Sequence, residues 1–385
     1  MFDVDINRVC AKIALGNLRE PPSLQTKTER TAPEDPSSPI KRISLELARK
    51  CNLLCLYCYS GATATCRTGL TDDEVRFVID DAFEAGARLI SIVGGGEPLL
   101  RPSLIKDGDS CIDYANQRGA YCCLYTNCTL IDDRVARWLY SRDVTVVGKL
   151  NSLREDVQDN LAGISGSALR IRRGIDALIR AGFADTRSEE EKPRFALQSV
   201  ICRQNYDEIP SIWRWIRQHN IVPEIEIPTL HGRAGDNRST LYFSETEAPH
   251  KYREIFEELL RIDRAEFGYN WIVHPPFPGS SCRLYYSNCY VNDEGGVQPC
   301  AGVDQPFGFL RVGSRQQTGE PLGDIVRSSA FEQLRNVHQH LKGKCQRCDL
   351  LDQCYGCRAA AWHKSGDIFA EDPVCWHGAV NSESG

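Results

Sequence analysis

The chain has 385 residues, a length that favours two or three domains because one hydrophobic core rarely organises more than about 250 to 300 residues. Its 42% hydrophobic and 25% charged residues are typical of globular proteins and exclude a mostly disordered or fibrous chain. The formal net charge of −6 argues against nucleic acid as the main partner, because binding phosphate needs a basic surface.

The N-terminal region carries no export or membrane signal. No apolar run in the chain reaches the roughly 18–20 residues that span a bilayer, so we expect no membrane partner. The first residues also lack the unbroken apolar stretch of a signal peptide, which predicts a cytoplasmic protein. Residues 21–39 contain five prolines and almost no large apolar side chains, so we interpret residues 1–40 as an arm and linker.

Short apolar runs alternate with helix-like segments between residues 41 and 235. Thr71 and Glu74 form a capping box at the start of one helix, and Pro210 suits the first turn of another. Several of the apolar runs are uniformly apolar, as parallel strands covered on both faces are. The fold class is therefore α/β, with a partial (β/α)6 barrel. The six predicted strands are Ile43–Leu47, Leu89–Val93, Tyr121–Tyr125, Val144–Leu150, Phe195–Cys202 and Pro223–Ile227.

After residue 235 this alternation stops. Residues 236–280 contain one amphipathic helix around Tyr252 and Leu260, followed by a proline-rich crossing segment. Residues 281–378 begin with a hairpin whose turn is Asp293–Gly296, continue with a helix near 324–341 and end in a cysteine-dense stretch. Residues 379–385 are predicted to be a tail.

The chain contains 18 cysteines, which in a large chain without an export signal favours metal or cluster ligands over disulfides. The first predicted strand leads directly into Cys51, Cys55 and Cys58. Three thiolates leave one iron of a [4Fe–4S] cluster without a protein ligand, at the end of the barrel where active sites lie. Cys66 could instead complete a tetrahedral zinc site, so this alternative stays open.

The cysteine loop CNLLCLYC resembles the CX3CX2C signature of the radical S-adenosylmethionine (SAM) superfamily, and Gly95, Gly96, Glu97 and Pro98 resemble its GGEP motif. The resemblance implies that Cys51, Cys55 and Cys58 hold a cluster whose open iron binds the methionine part of SAM. An electron from that cluster then cleaves SAM to a 5′-deoxyadenosyl radical.

The same resemblance implies a set of contacts to SAM. Tyr57 would lie by the adenine, and Gly95, Gly96 and Glu97 would hold the methionine amino group, since glycines allow close approach and a carboxylate pairs with an ammonium. Three further candidates are Asn127, Asn151 and Ser152. For Asn151 and Ser152, ordinary helix capping is the alternative.

The C-terminal cysteines resemble the SPASM extension, which binds two auxiliary [4Fe–4S] clusters. The resemblance implies an inner cluster held by Cys282, Cys289, Cys300 and Cys357, and an outer cluster held by Cys345, Cys348, Cys354 and Cys375. The predicted cofactors are therefore three [4Fe–4S] clusters and SAM. A zinc ribbon is the alternative.

Four residues at the predicted barrel mouth are candidates for catalysis. Cys128 stands where the family has glycine and could donate a hydrogen atom, although packing is the simpler interpretation. Glu226 or His231 could accept a proton, and Arg233 could hold a substrate carboxylate or hydroxyl. Loop packing is the alternative for His231 and Arg233.

The resemblance implies an oxidoreductase that abstracts a hydrogen atom from a peptide or protein side chain, with a flavodoxin or ferredoxin as its reducing partner. One alternative is a dehydrogenase or epimerase of a small molecule such as an aminocyclitol or sugar. A second alternative is an iron–sulfur electron carrier that has lost SAM chemistry, against which the intact cysteine and GGEP motifs argue.

Overall fold

A computed structural model describes residues 39–66, 69–186, 192–229, 231–276, 282 and 284–377. Nearly all of the predicted arm, with Cys10, and the predicted tail lie outside these described residues. No helix in the described ranges is both long enough and apolar enough to cross a membrane.

Nine strands form one open sheet in the order β6-β5-β4-β3-β2-β1-β7-β8-β9. Strands β1 to β7 pair in parallel, whereas β8 and β9 extend the edge in antiparallel pairs. The predicted α/β class and partial barrel are confirmed, because all six predicted strands are present and the sheet does not close. The strands are β1 Arg42–Glu46, β2 Leu89–Val93, β3 Tyr121–Thr126, β4 Thr145–Lys149, β5 Phe195–Val200, β6 Val222–Glu226, β7 Asn288–Val291, β8 Gly296–Gln298 and β9 Gly308–Phe309.

The crossover helices cover the outer face of the sheet. The predicted capping box is present, since the Thr71 side chain accepts from the Glu74 amide and the Glu74 carboxylate accepts from the Thr71 amide. The helices of the barrel are Asp72–Glu84, Cys111–Gln117, Asp133–Ser141, Glu155–Ala162, Ser167–Arg180 and Ile209–Gln218. Those that follow are Gly232–Asp236, Arg238–Leu241, Ala248–Ile262, Leu284–Ser287, Leu322–Val326, Ser329–Arg335, Val337–His340, Gly343–Gln346 and Arg358–Ser365.

The prediction of a single helix near 324–341 is wrong. That segment forms three short helices, which separate at Ser328 and Asn336. Serine and asparagine compete for backbone hydrogen bonds and so favour helix ends over helix interiors. The predicted hairpin is present between β7 and β8, but β7 also pairs with β1, so the cysteine-rich region continues the barrel sheet. Because the sheet is continuous across the boundary near residue 281, strand pairing does not separate the two regions, and the predicted domain limits stay a prediction.

Because side chains alternate along each strand, one face of the sheet packs against the helices in the core and the other faces the interior of the barrel. Ile43 and Leu45 of β1, like Ile90 and Ile92 of β2, pack among the helices in the main hydrophobic core. A smaller apolar cluster forms the floor of the barrel interior from Leu89, Cys123, Val147, Ala196 and Val222. A cavity of about 590 Å³ is bounded by this interior face and by the loops that follow the strands.

A buried ion pair fastens the bridging segment to the barrel wall. Asp263 is fully buried. Its carboxylate accepts hydrogen bonds from Arg217 Nη2 at 2.7 Å, from Trp213 Nε1 at 2.7 Å and from Trp271 Nε1 at 3.0 Å. Arg217, Trp213 and Trp271 also line the cavity. One carboxylate thus holds three side chains of the cavity wall in place.

We expect Asp263→Asn to destabilise the protein by about 3 kcal/mol, because it leaves the buried Arg217 without its counter-charge. The melting temperature of the cluster-loaded protein should fall by about 4 °C in differential scanning fluorimetry. The matched control is Glu257→Gln, which removes an exposed pair with Arg253 and should change the melting temperature by less than about 2 °C. Equal shifts for the two variants would contradict this role for Asp263.

Candidate active site

The Cys51–Cys58 loop is bound closely to the barrel before any cofactor is considered. All three of its cysteines line the cavity. Backbone bonds from Leu54 N to Ala162 O and from Leu56 N to Leu161 O, both 3.0 Å, fix the loop to the helix that follows β4. Burial raises the pKa of the Cys51 thiol to about 11 and that of Cys55 to about 12, so iron must displace a proton from each on binding.

Arg233 binds the cysteine loop. Its guanidinium donates to Cys55 O at 3.0 Å, to Ala62 O at 2.6 Å and to Gly61 O at 3.4 Å. These three bonds use three of its five N–H donors, and Arg233 also lines the cavity. Arg233 therefore positions the cluster loop, and its predicted contact with a substrate stays a prediction.

The Gly95–Glu97 segment lies directly against the cysteine loop. Gly96 N donates to Ala48 O and Glu97 N to Lys50 O, both at 2.9 Å. A side chain on Gly95 would collide with the Glu46 carboxylate, and one on Gly96 would collide with the Lys50 carbonyl. The two glycines thus permit a backbone approach that no other residue allows, which is the reason the motif needs them.

Glu97 is buried and its carboxylate is held from three sides. Oε1 accepts from Thr126 Oγ1 at 2.8 Å and from Leu99 N at 3.1 Å, and Oε2 accepts from Asn127 N at 2.7 Å. Burial raises the pKa of Glu97 to about 7, and the three donors oppose that rise. Glu97 and Asn127 both line the cavity, as their predicted contacts to SAM require.

Tyr57 also lines the cavity, but Asn151 and Ser152 do not. Asn151 is fully buried; its Nδ2 donates to the Tyr57 hydroxyl at 2.7 Å and its Oδ1 accepts from Val200 N at 2.8 Å. Ser152 is also buried and donates to Glu208. Asn151 thus orients Tyr57, and the predicted contacts of Asn151 and Ser152 to SAM stay a prediction.

Cys128 lies outside the barrel interior. Its thiol packs against Gly148 of β4 and its backbone against Gly174, within the core formed with the helices. Its φ of 65° explains why the family has glycine there, because left-handed backbone is unfavourable for a side chain. The side chain is fully buried and does not line the cavity, so its placement favours packing over the predicted role as a hydrogen-atom donor.

Glu224 is a further candidate functional residue that no sequence motif marks; it lies two residues from Glu226 in β6, and both line the cavity. Burial raises the pKa of Glu224 to about 7; Glu226 raises it further, while Lys149 and Arg42 lower it. Lys149 Nζ lies 3.6 Å from Glu226 Oε2. A repeat of two acidic residues in a buried strand was the available signal, because such residues share one face.

His231 lies beside the cavity rather than on its wall. Its ring stacks on His363 with centroids 4.7 Å apart, and its Nδ1 lies 3.8 Å from Asp304 Oδ2. Burial and His363 lower the pKa of His231. His231 does not line the cavity, so the structure does not bring it to the predicted proton-transfer site.

The C-terminal cysteines form two groups, one of which shares the cavity. Cys282, Cys300 and Cys357 line the cavity, and burial, Asp372 and then the two neighbouring thiols raise the pKa of Cys357. Cys289 is different, because it lies in β7 with its side chain in the helical core near Asp81. This placement does not support its predicted role as a cluster ligand, which stays a prediction.

The outer group consists of Cys345, Cys348, Cys354 and Cys375. Burial raises the pKa of Cys354 to about 11, and Cys345 and Cys348 contribute to the rise. Backbone amides donate to three of the sulfurs, from Asp372 to Cys345 at 3.4 Å, from Leu350 to Cys348 at 3.4 Å and from Gly356 to Cys354 at 3.2 Å. Such bonds suit thiolates of an iron–sulfur site.

Arg358 is a buried cation next to this outer group. It is 1% exposed, its Nη2 lies 3.9 Å from Cys345 Sγ, and it also lines the cavity on the side of the inner group. Its Nε is buried without a partner among the described residues. An anionic cluster would satisfy both the charge and this donor, so the residues present fit a cluster here.

The fold and the two cysteine-lined sites define an iron–sulfur enzyme built on a partial barrel. A model of the radical SAM superfamily matches residues 45–189, and a model of SPASM, an iron–sulfur cluster-binding domain, matches residues 282–349. The chain is a radical SAM enzyme with a C-terminal SPASM domain. The first domain type binds a [4Fe–4S] cluster and SAM, and the second binds auxiliary iron–sulfur clusters.

Similar proteins differ in their named activities. An AdoMet-dependent heme synthase of Methanosarcina barkeri is 26% identical over 86% of this chain and 95% of its own. The mycofactocin maturase MftC of Mycolicibacterium smegmatis is 25% identical over 87% of this chain and 82% of its own. Among solved structures, SuiB of Streptococcus suis bound to SAM has a TM-score of 0.60 at 17% identity, covering 88% of this chain and 77% of its own.

We expect Cys128→Ala to leave the rate of 5′-deoxyadenosine formation within about twofold of wild type, because the thiol faces the core and not the cavity. Loss of a small buried group should cost about 1 kcal/mol and lower the melting temperature by about 1 °C. Both quantities can be measured on reconstituted protein, by liquid chromatography and by fluorimetry. A loss of solvent deuterium from the product would restore the hydrogen-donor role.

Proposed function

We propose that this enzyme cleaves SAM reductively and abstracts a hydrogen atom from a side chain of a peptide or protein substrate. The observation that supports this most is that one cavity of about 590 Å³ has the Cys51, Cys55 and Cys58 thiols and the inner C-terminal thiols in its lining. A [4Fe–4S] cluster with SAM supplies a 5′-deoxyadenosyl radical. A substrate in this cavity lies between the site of hydrogen abstraction and an electron acceptor, which suits an oxidation.

We assign the chain's residues to this chemistry as follows. Tyr57, oriented by Asn151, contacts the adenine, and Gly95, Gly96 and Glu97, with Asn127, hold the methionine end of SAM. The full complement is three [4Fe–4S] clusters, with Cys345, Cys348, Cys354 and Cys375 holding the outer one. A reduced flavodoxin or ferredoxin supplies the electron, and a reducing cytoplasm keeps the thiols free.

A peptide substrate is supported by the names of two kinds of relative. The MftC proteins are maturases, and a Bradyrhizobium diazoefficiens relative at 24% identity is named PqqA peptide cyclase. A small-molecule substrate is the second candidate. Its support is that three relatives at 26–27% identity are named heme synthases, which points to a carboxylate-bearing tetrapyrrole more than to a sugar.

The substrate class can be tested by deuterium transfer. Reduced enzyme is incubated with SAM and a deuterated candidate substrate, either a precursor peptide encoded near the gene or iron–coproporphyrin. The mass of the 5′-deoxyadenosine formed is then measured by mass spectrometry. We expect a gain of one mass unit with a peptide, and none in a Cys55→Ala variant, which lacks one of the three loop thiols. Deuterium gained only from the tetrapyrrole would replace the peptide proposal, and no 5′-deoxyadenosine at all would overturn the proposed chemistry.

Glu224 is the proposed acceptor of the proton that an oxidation releases. A carboxyl group accepts a proton only when it is ionised, so activity should rise as the pH passes about 7, the raised pKa of Glu224. Glu224→Gln should lower the rate by about 10²-fold and remove that inflection. Initial rates of product formation between pH 5.5 and 8.5 measure both effects.

The same pH range contains two other buried carboxyls, since burial also raises the pKa values of Glu46 and Glu97 to about 7. An inflection in the wild-type profile alone therefore does not identify the base. Glu226→Gln is the matched control and should retain an inflection, moved to lower pH because the Glu226 charge raises the pKa of Glu224. An inflection that persists in Glu224→Gln excludes Glu224.

A further inference from the structure

We propose that an acidic electron carrier docks on the outer face of helices Asp133–Ser141 and Ser167–Arg180, against the exposed leucines around the Cys51–Cys58 loop. This inference rests on the proposed function, in which a flavodoxin or ferredoxin supplies the electron. It extends that function because it states which surface of the chain receives the carrier.

The first argument is a group of exposed apolar side chains. Leu54, Leu130 and Leu169 are 41%, 36% and 48% exposed, and they are three of the six large apolar or aromatic side chains that are most exposed in the described residues. A single exposed leucine needs no explanation. Several of them grouped on one surface are typical of an interaction site.

Contacts between the supporting segments bring these leucines to the same side of the molecule. The amide of Leu54 donates at 3.0 Å to Ala162 O, in the helix that precedes the one carrying Leu169. A side-chain bond of 2.7 Å from Asn52 Nδ2 to Thr129 Oγ1 joins the same loop to the residue before the third leucine. The cysteine loop therefore lies between the segments that carry the other two leucines.

The second argument is four exposed arginines on the two helices beside these leucines. Arg134 and Arg137 lie on the first helix, and Arg170 and Arg173 lie on the second, which contacts the first. A spacing of three residues places the members of each pair on one side of their helix. Within the ranges that the structure describes, none of the four makes an ion pair or a side-chain hydrogen bond.

The acidic residues at the start of the first helix do not neutralise these arginines. Asp132 caps the helix by accepting from the Val135 amide at 2.7 Å, and Asp133 pairs with Arg180 at 2.7 Å. The result is a local excess of positive charge on a chain whose net charge is −6. Such a patch attracts a partner of negative charge and steers its association.

The third argument is the position of Leu54 in the cluster loop. Leu54 lies between Cys51 and Cys55, and its side chain is exposed whereas both cysteines line the cavity. The loop is thus in contact with solvent at the same place where it holds cluster ligands. A carrier that docks on Leu54 can deliver an electron to the loop while SAM and substrate occupy the cavity.

The surface beside the outer cysteine group offers less unpaired charge. Lys342 pairs there with Asp367, and His377 pairs with Asp349. An ion pair already made must be broken or shared before it can bind a partner, so it contributes little to docking. This difference favours the surface beside the cysteine loop as the place where the carrier binds.

The test measures binding of purified flavodoxin to the full chain with its clusters, both proteins being oxidised, by isothermal titration calorimetry. The variants Arg134→Glu/Arg137→Glu and Arg170→Glu/Arg173→Glu reverse the charge of one helix each. We expect each to raise the Kd for flavodoxin at least about tenfold and to weaken its dependence on salt. An unchanged Kd in both variants would overturn the proposal.

The matched control is Arg253→Glu/Arg261→Glu, which reverses two exposed charges on helix Ala248–Ile262, outside the proposed surface. We expect its Kd to stay within about twofold of the parent, because screening weakens distant surface charges. A tenfold rise in this variant as well would mean that net charge alone matters and would overturn the proposal.

Two further measurements separate docking from damage to the cluster. Leu130→Ser/Leu169→Ser should also raise the Kd about tenfold but keep the salt dependence of the parent, because it removes apolar contact and no charge. Reduction of the clusters by titanium(III) citrate, which needs no docking, should follow the parent in electron paramagnetic resonance for every variant. Slower reduction by this reagent in the arginine variants would mean that they act on the clusters and would overturn the proposal.

The identity of the partner is tested with a precursor peptide encoded near the gene. If the arginine variants lose binding of this peptide and keep that of flavodoxin, the surface holds the substrate and the proposal is overturned. None of these measurements needs SAM cleavage, so their outcome is separate from that of the proposed function.

Discussion

The pairing of β1 with β2 on one side and β7 on the other is the constraint on which the rest of the site depends. The register places Ser44 opposite Ser91 in β2 and opposite Tyr290 in β7. Because side chains alternate along each strand, this single register decides which residues of all three strands face the cavity. It also makes the cysteine-rich C-terminal region an extension of the barrel sheet, which brings the inner thiols to the same cavity as the radical SAM loop.

A buried carboxylate joins the elements of this junction. Glu46, at the end of β1, is 2% exposed; its Oε2 accepts from the Tyr290 hydroxyl at 2.6 Å and its Oε1 lies 3.1 Å from Arg49 Nε. Arg49 also reaches Asp293, in the turn after β7, at 3.3 Å. A half-satisfied buried charge is costly, so this network favours one arrangement of loop and hairpin over others. The same carboxylate fills the space that Gly95 leaves free.

The sequence was sufficient to predict the six barrel strands, because short apolar runs between capping and turn residues identify parallel strands without reference to tertiary structure. It also identified the cysteine loop and GGEP motif. The roles of Asn151 and Arg233 could not be predicted, because both depend on partners far away in the chain. Asn151 bonds Tyr57, 94 residues earlier, and Arg233 bonds Cys55, 178 residues earlier. Nothing local in the sequence separates a residue that holds the cofactor from one that holds the cofactor's loop.

Cys128 and Cys289 show the same limit for the thiols. Each stands beside a motif at a plausible ligand or donor spacing, yet spacing along the chain does not determine the face of the sheet on which a side chain lies. In β7, Asn288 and Tyr290 face the cavity, so the alternation of side chains places Cys289 on the opposite face. Which face is which becomes known only when the pairing of β7 with β1 is known. For Glu224 the sequence was sufficient, because two acidic residues two positions apart in one strand must lie on the same face as each other. For a cysteine-rich barrel, the pairing register is therefore a stricter criterion for assigning ligands than the count of cysteines in a motif.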